Sequence, residues 1–441
     1  GFPEGMGFYY SSPLKGWLAW PLLSVFGLGA TWNLLLLLAR VCTVLFSWAA
    51  ARAWGFGGSG SLAVAAVYGA SPFFHGYAVE GIVEGTDGWT LALWAWMVGR
   101  GRHGWAALAL ALTVLSSWYL GMACCALAAF AGVRDRRAWW SFLGLAAVMP
   151  MLMSFAGAFP AMGPLDGEIR ASMGAPLGVP TPGFAAGLSP FALNTYVGWT
   201  ILLVACWSRS LWALLALVPA ALSLGVGPLY ELPVFELIRF PYRWHAATLV
   251  LLGGAVATVA DRRGWWWLGP LIVLEGWLLS PVEPFIPGSP SEIPEIYEAI
   301  DEPVLEVPGP VAMSPGRVNL SRPRARYLLY FQTLHGQSSP WIPDFNGVGV
   351  EKRDDGLNGL RAFDRLEDSG PANLEDSLQR QVEKGVVYLV VQRDALGAES
   401  AQRLEEQLMG LGVANKAEDG DRSVWDLRAS RSRSPSVLES P

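Results

Sequence analysis

Apolar residues fill the first 280 positions in long blocks, and polar residues interrupt them as short turns. Runs that could cross a bilayer lie at 31–53, 60–76, 88–99, 104–118, 119–133, 139–157, 196–208, 211–227, 245–260 and 264–280. A straight spanning helix needs about 20 residues, so the shorter runs read as short helices beside a wet cavity. Residues 13–28 are apolar too, but Pro21 sits mid-run, and Trp17 and Trp20 suit a membrane–water boundary. An interfacial or re-entrant helix on the outer face is expected there. Beyond position 281 the pattern changes. PVEPFIPGSPSEIPE is a proline-rich linker, followed by short strand patterns at 303–307, 327–331, 386–391 and 423–427. Residues 399–411 form an amphipathic helical pattern through Leu404, Leu408 and Leu411, stopped by Gly412. The fold expected is an α-helical polytopic membrane protein of about ten spans plus an outer-face interfacial helix, with a small α/β C-terminal domain. Its parts are a membrane domain (1–280), a linker (281–302), the α/β domain (303–428) and a disordered polar tail (429–441).

Charge gives the membrane half a direction. With every run spanning, alternate connections carry Arg52; Arg100 and Arg102; Arg134, Arg136 and Arg137; Arg209; and Arg262 and Arg263. The opposite connections carry Glu80, Glu84 and Asp87; Asp166, Glu168 and Arg170; and Glu231, Glu236, Arg239 and Arg243. The positive-inside rule makes the first set cytoplasmic and places the C-terminal domain outside. An N-terminus on that side calls for a further span upstream of Gly1. Composition agrees with a membrane protein: the chain is 52% hydrophobic and 15% charged, against about 25% charged in a soluble domain. A net charge of −6 with no basic block excludes a nucleic-acid binder. The four cysteines, Cys42, Cys124, Cys125 and Cys206, lie in apolar runs and read as buried, inert thiols.

Several segments carry a resemblance: PLKGWLAWPLLSVFGLGATWNLLLLLAR, VYGASPFFHG, ELIRFPYRWHAATLVLLGGAV, IPEIYEAIDEPVLEVP and LLYFQTLHGQSSP. Together they resemble bacterial multi-span proteins related to the C superfamily of membrane glycosyltransferases (GT-C), over most of residues 1–430. The resemblance implies a bacterial inner-membrane protein, with an outer-face juxtamembrane helix that residues 13–28 could supply. It implies a sugar donor carried on a polyprenyl phosphate and used on the extracytoplasmic face, with an envelope glycan, lipid or protein as acceptor. It also implies an essential acidic residue in the first outer loop, of which only GFPEGMGFYYSS is present, so the family's catalytic acid is expected upstream of Gly1.

Glycosyl transfer needs a carboxylate to take a hydroxyl proton and cationic groups to hold the departing phosphate. Glu80, Glu84 and Asp87, with His75 at the loop entry, supply the first: a general base, or carboxylates for a divalent cation such as Mg or Mn, which is admissible but not required. An ordinary solvated acidic loop is the alternative, and His75 alone reads as a packed interfacial residue. Arg239, Arg243 and His245, interleaved with Tyr242 and Trp244, supply the second. Their partner is a phosphate or, equally, Glu231 or Glu236. Arg170 lies on a long Gly- and Pro-rich loop (158–195) that gates the site or passively covers helix ends. Tyr119 in SSWYLG falls on an outer turn and packs by default; GFGGSG at 55–60 lacks the context of a phosphate cradle. Arg40 and Glu275 are the mid-span charges. Two further readings stay open: a transporter of lipid-linked substrates, which would want intramembrane charges and repeats, and a non-catalytic scaffold.

Overall fold

The computed structural model describes residues 12–79, 85–157, 195–225, 227, 230, 241–280, 282, 295–307 and 374–428. The chain divides between Pro287 and Gly288 into two compact units.

The first unit is helical, and each of the expected apolar runs carries a helix. Helix α1 (Pro13–Ala53) opens on Pro13, tolerated where the first N–H groups have no intrahelical partner. It is broken at Gly27, whose backbone (φ 70°, ψ 174°) leaves helical space, so residues 13–26 form a separate helical segment ahead of Gly29–Ala53. Helix α2 (Gly58–Val64) continues through a π-turn (Ala65–Gly69), and α3 (Pro72–Val79) restarts at the proline. The break falls where Ser71 precedes Pro72, a position that disfavours helix; the Ser71 hydroxyl accepts from Phe73 N at 3.1 Å. Then come α4 (Gly88–Gly99), α5 (His103–Ser116), α6 (Trp118–Arg134), a 3-10 turn (Arg136–Ser141), α7 (Phe142–Gly157), α8 (Trp199–Ser208) and α9 (Leu211–Leu222). A second 3-10 turn (Pro241–Trp244) leads into α10 (His245–Arg263), followed by α11 (Leu268–Leu279).

Among the described residues, three helical stretches are long and apolar enough to cross a membrane: Gly29–Ala53, Gly58–Val79 and Pro241–Arg263. The rest are shorter than a straight span. Glycines mark two helix ends: Gly225 and Gly227 (φ 71° and 107°) follow α9, which stops short of its expected run, and Gly264 (φ 66°) closes α10. Leu37, Leu38, Val41, Leu45 and Trp48 stand exposed along α1, as do Leu211, Leu214, Leu217 and Val218 along α9. Outward apolar faces of this extent belong to a membrane protein. Cys206 shares such a face with Leu203 and Trp207 and is exposed, which corrects the expectation of a buried thiol; Cys124 is buried as expected.

Helix α10 packs against α2, α8 and α9. Its Ala- and Gly-rich surface permits close approach: a Cβ on Gly254 would lie 2.7 Å from the Trp212 ring. The two charges expected mid-span have structural partners. Arg40 donates to Ser71 O at 3.0 Å, beside the α2–α3 break. Glu275 accepts from Trp199 N (2.6 Å) and Thr200 N (3.0 Å), capping α8. GFGGSG does cradle an anion, but one from the same chain: Asp261 takes Gly57 N (2.5 Å) and Gly60 N (2.6 Å) at the start of α2.

The second unit holds a four-stranded sheet of order β1-β2-β4-β3, from β1 (Val304–Val307), β2 (Tyr388–Gln392), β3 (Ala414–Glu418) and β4 (Arg422–Asp426). β1 and β2 are parallel, and the other pairs antiparallel. Helices α12 (Leu374–Glu383), α13 (Arg393–Leu396) and α14 (Ala398–Gly410) complete it. Strand alternation sorts the core: Leu305, Val307, Leu389, Val391 and Trp425 meet α12 and α14. Val304, Tyr388, Val390 and Val424 meet Ile296, Tyr297 and Ile300 around the 3-10 turn Glu295–Ala299. Helix α12 and strand β3 were absent from the sequence expectation. The expected strand at 327–331 and the tail from 429 lie outside the described residues.

Candidate functional site

Of the residues singled out by sequence, Glu80, Glu84, Arg170 and Arg239 lie outside the described residues, as do Glu231, Glu236 and most of the 158–195 loop. His75, Asp87, Tyr242, Arg243 and His245 are described.

Asp87 immediately precedes α4 and is buried. Its main-chain oxygen accepts from Thr90 N at 3.1 Å and Thr90 Oγ1 at 3.0 Å, fixing the first turn of α4. Its carboxylate is bonded on both oxygens. Lys15 Nζ lies 3.1 Å from Oδ1, Trp89 Nε1 donates to the same oxygen at 3.3 Å, and Ser116 Oγ donates to Oδ2 at 2.8 Å. Lys15, from the first turn of α1, also donates to Thr86 Oγ1 and is buried as well. An ammonium therefore stands where a cation bound to Asp87 would sit. This carboxylate is held in an internal ion pair; Glu84, the other expected metal carboxylate, lies outside the described residues. Among the described residues no three His, Cys, Asp or Glu side chains group as metal ligands.

Arg243 comes from the 3-10 turn before α10 and is 6% exposed. Its guanidinium carbon lies 4.2 Å from the Tyr119 ring centre, 5.7 Å from Tyr77 and 6.0 Å from Tyr242. Aromatic faces stabilise a buried cation by cation–π attraction. Tyr77 and Tyr242 stack at 6.2 Å. His245, first residue of α10, is fully buried; its ring meets Phe73 edge-on at 5.2 Å, and among the described residues neither ring nitrogen has a hydrogen-bond partner. Trp244 packs with Tyr230, Tyr119 and Met122.

Two elements bring the clusters together. In the α5–α6 turn, Ser116 bonds Asp87 while Tyr119, three residues on, lies over Arg243. In α3, the Tyr77 ring packs so tightly on Gly85 that a Cβ there would lie 2.1 Å away, and the same ring neighbours Arg243. The chain thus places the start of α4, the SSWYLG turn and the Pro241–Trp244 turn around one aromatic wall. Sequence reading missed Lys15, Thr86, Ser116 and Tyr77. Lys15 had a usable signal, being the one charged residue between Glu4 and Arg40. Tyr119, expected to pack by default or to reach the cavity, lies over Arg243.

Comparison with known proteins gives no match to any family model, curated protein or solved structure.

Proposed function

We propose that this chain is a membrane glycosyltransferase of GT-C type, transferring a sugar from a polyprenyl-phosphate donor to an envelope glycan, lipid or protein acceptor on the extracytoplasmic face of a bacterial inner membrane. The reading takes the helices at all of the expected runs as roughly ten spans, short ones included, with the C-terminal domain outside. Helices α1, α4, α6, α8 and α10 each end at or beside arginine, which supports one basic, cytoplasmic rim. The observation that carries the proposal is the buried Arg243, ringed by tyrosines, one of which, Tyr119, lies three residues from the Ser116 that bonds Asp87.

In the proposed reaction Glu84 or Glu80 takes the proton of an acceptor hydroxyl. The hydroxyl oxygen then bonds the anomeric carbon as its bond to the donor phosphate breaks. Arg239 and Arg243 hold the departing phosphate, with Tyr242, His245 and Arg170 lining the donor. Asp87 shares the acidic segment but acts through Lys15 and Ser116, holding that segment in place. No step requires a metal.

Transfer of radiolabelled sugar from a polyprenyl-phosphate donor to membrane acceptors tests this. Glu84→Gln and Arg243→Ala each lower transfer by about 100-fold or more in protein that still folds. Transfer unchanged in both variants sinks the assignment. The scaffold reading has one observation in its favour, the complete internal pairing of Asp87. The transporter reading loses its two intramembrane charges to structural roles, at Arg40 and Glu275.

A further inference from the structure

The C-terminal unit buries a carboxyl group that the proposed transfer does not use. Glu306 lies on β1 and is 4% exposed, on the sheet face that also carries Val304, Val390 and Val424. It belongs to a chain of side chains crossing that face. Tyr297 Oη donates to Glu306 Oε1 at 2.6 Å; Gln392 Nε2 donates to Tyr297 Oη at 2.7 Å; Arg422 Nε donates to Gln392 Oε1 at 3.2 Å. The members come from the 3-10 turn Glu295–Ala299 and from β1, β2 and β4, so this polar chain ties the turn to the sheet.

We infer that Glu306, Tyr297, Gln392 and Arg422 form a proton-dependent clasp, which holds the turn Glu295–Ala299 on the sheet while Glu306 carries a proton and loosens it once Glu306 ionises. Ionisation would place a charge in a layer built from Val304, Val390, Val424, Ile296 and Ile300. The charged group nearest in the chain, Arg422, bonds Gln392, opposes the burial effect on Glu306 by its charge, and lies 3.7 Å from Asp419. The face's other charged groups gather around the Tyr388 hydroxyl: Asp301 (3.1 Å), Lys416 (2.6 Å) and Arg428 (3.3 Å), with Asp426 and Glu302 on Arg428. Arg393, meanwhile, pairs with Glu405 and Glu418. Burial pushes the Glu306 carboxyl up to about 7, against the opposing pull of Tyr297, Arg422 and Gln392.

The sign follows from linkage. A carboxyl whose folded value is raised stabilises the closed form fully below its unfolded value. That contribution fades as pH rises towards 7 and is gone above it. In the full chain in detergent micelles, amide hydrogen exchange corrected for intrinsic rates reads the opening of the turn at Ile300, whose N–H bonds Tyr297 O at 3.1 Å. The expected result is an opening constant that grows by close to tenfold per pH unit between about pH 5 and 6.5 and levels above about 7.5. Glu306→Gln should flatten this profile. Tyr297→Phe, which removes a donor to the carboxylate, should shift its midpoint upward. A Glu306→Gln protein with the unaltered slope, or a Tyr297→Phe midpoint that falls, overturns the clasp. Should Glu306→Gln fail to fold, carbon-13 titration of glutamate carboxyls in the unmodified chain decides. A Glu306 midpoint above about pH 6 supports the clasp, and one at or below it overturns it.

Discussion

Lys15 and Asp87 are both withdrawn from water, and each is tolerable there because of the other. Removing one partner strands a buried charge, whereas removing both leaves a neutral site. Lys15→Met should therefore destabilise the protein by about 3 kcal/mol, and Lys15→Met combined with Asp87→Asn should recover much of that loss. Chemical denaturation in detergent measures both, and an additive double variant would refute the coupling. Arg243 makes a different demand. Its planar guanidinium lies 4.2 Å over Tyr119, a geometry that a lysine ammonium does not reproduce. At this scale the sequence showed which residues were chemical but not who partners them. Asp87 was visible as part of an acidic loop; its pairing with a lysine 72 positions earlier was not, because that pairing depends on packing between α1 and α4. Arg243 was legible as a cation against the expected charge asymmetry, with Tyr242 beside it in sequence; that Tyr77 and Tyr119, from two other points of the chain, also reach it became visible only once folded.

At the scale of elements, glycine decides where helices bend and where they meet. Gly27 holds a backbone conformation closed to side-chain-bearing residues, and it separates the segment 13–26 from the span that follows. Trp17, Trp20, Val25 and Phe26 of that segment are exposed; an interfacial helix would set such side chains into the bilayer boundary. Gly27→Ala should cost about 1–3 kcal/mol through strain, or straighten α1 and carry the segment off the surface. A spin label at Val25 distinguishes these through its depth in the bilayer. The helices were readable because apolar blocks are a strong signal, and their ends shifted where Gly225, Gly227 and Gly264 stop them. Strand β3 was illegible for the opposite reason: it is a mostly exposed edge strand, ANKAE, with no apolar alternation to betray it. Helix α12 did carry a signal, in Leu374, Leu378 and Val382 at helical spacing.

Over the whole molecule, topology is the expectation with the widest consequences. Cysteines introduced at Arg136 and at Gln402 should react with a membrane-impermeant maleimide from opposite sides, Gln402 from outside in intact cells. Labelling of both from one side would dissolve the proposed arrangement. The bond between Asp261 and the glycines of α2 adds a constraint in time. Its two ends are separated by 201 and 204 positions, and α2 has no side chain of its own to close its first turn. During synthesis the leading amides of α2 are expected to rest on water until α10 supplies Asp261. A nascent chain stalled before Asp261 should hold α2 loosely and expose it to proteolysis, and release past that point should protect it. One of the earliest helices of this chain is thus closed by a residue made some two hundred positions later.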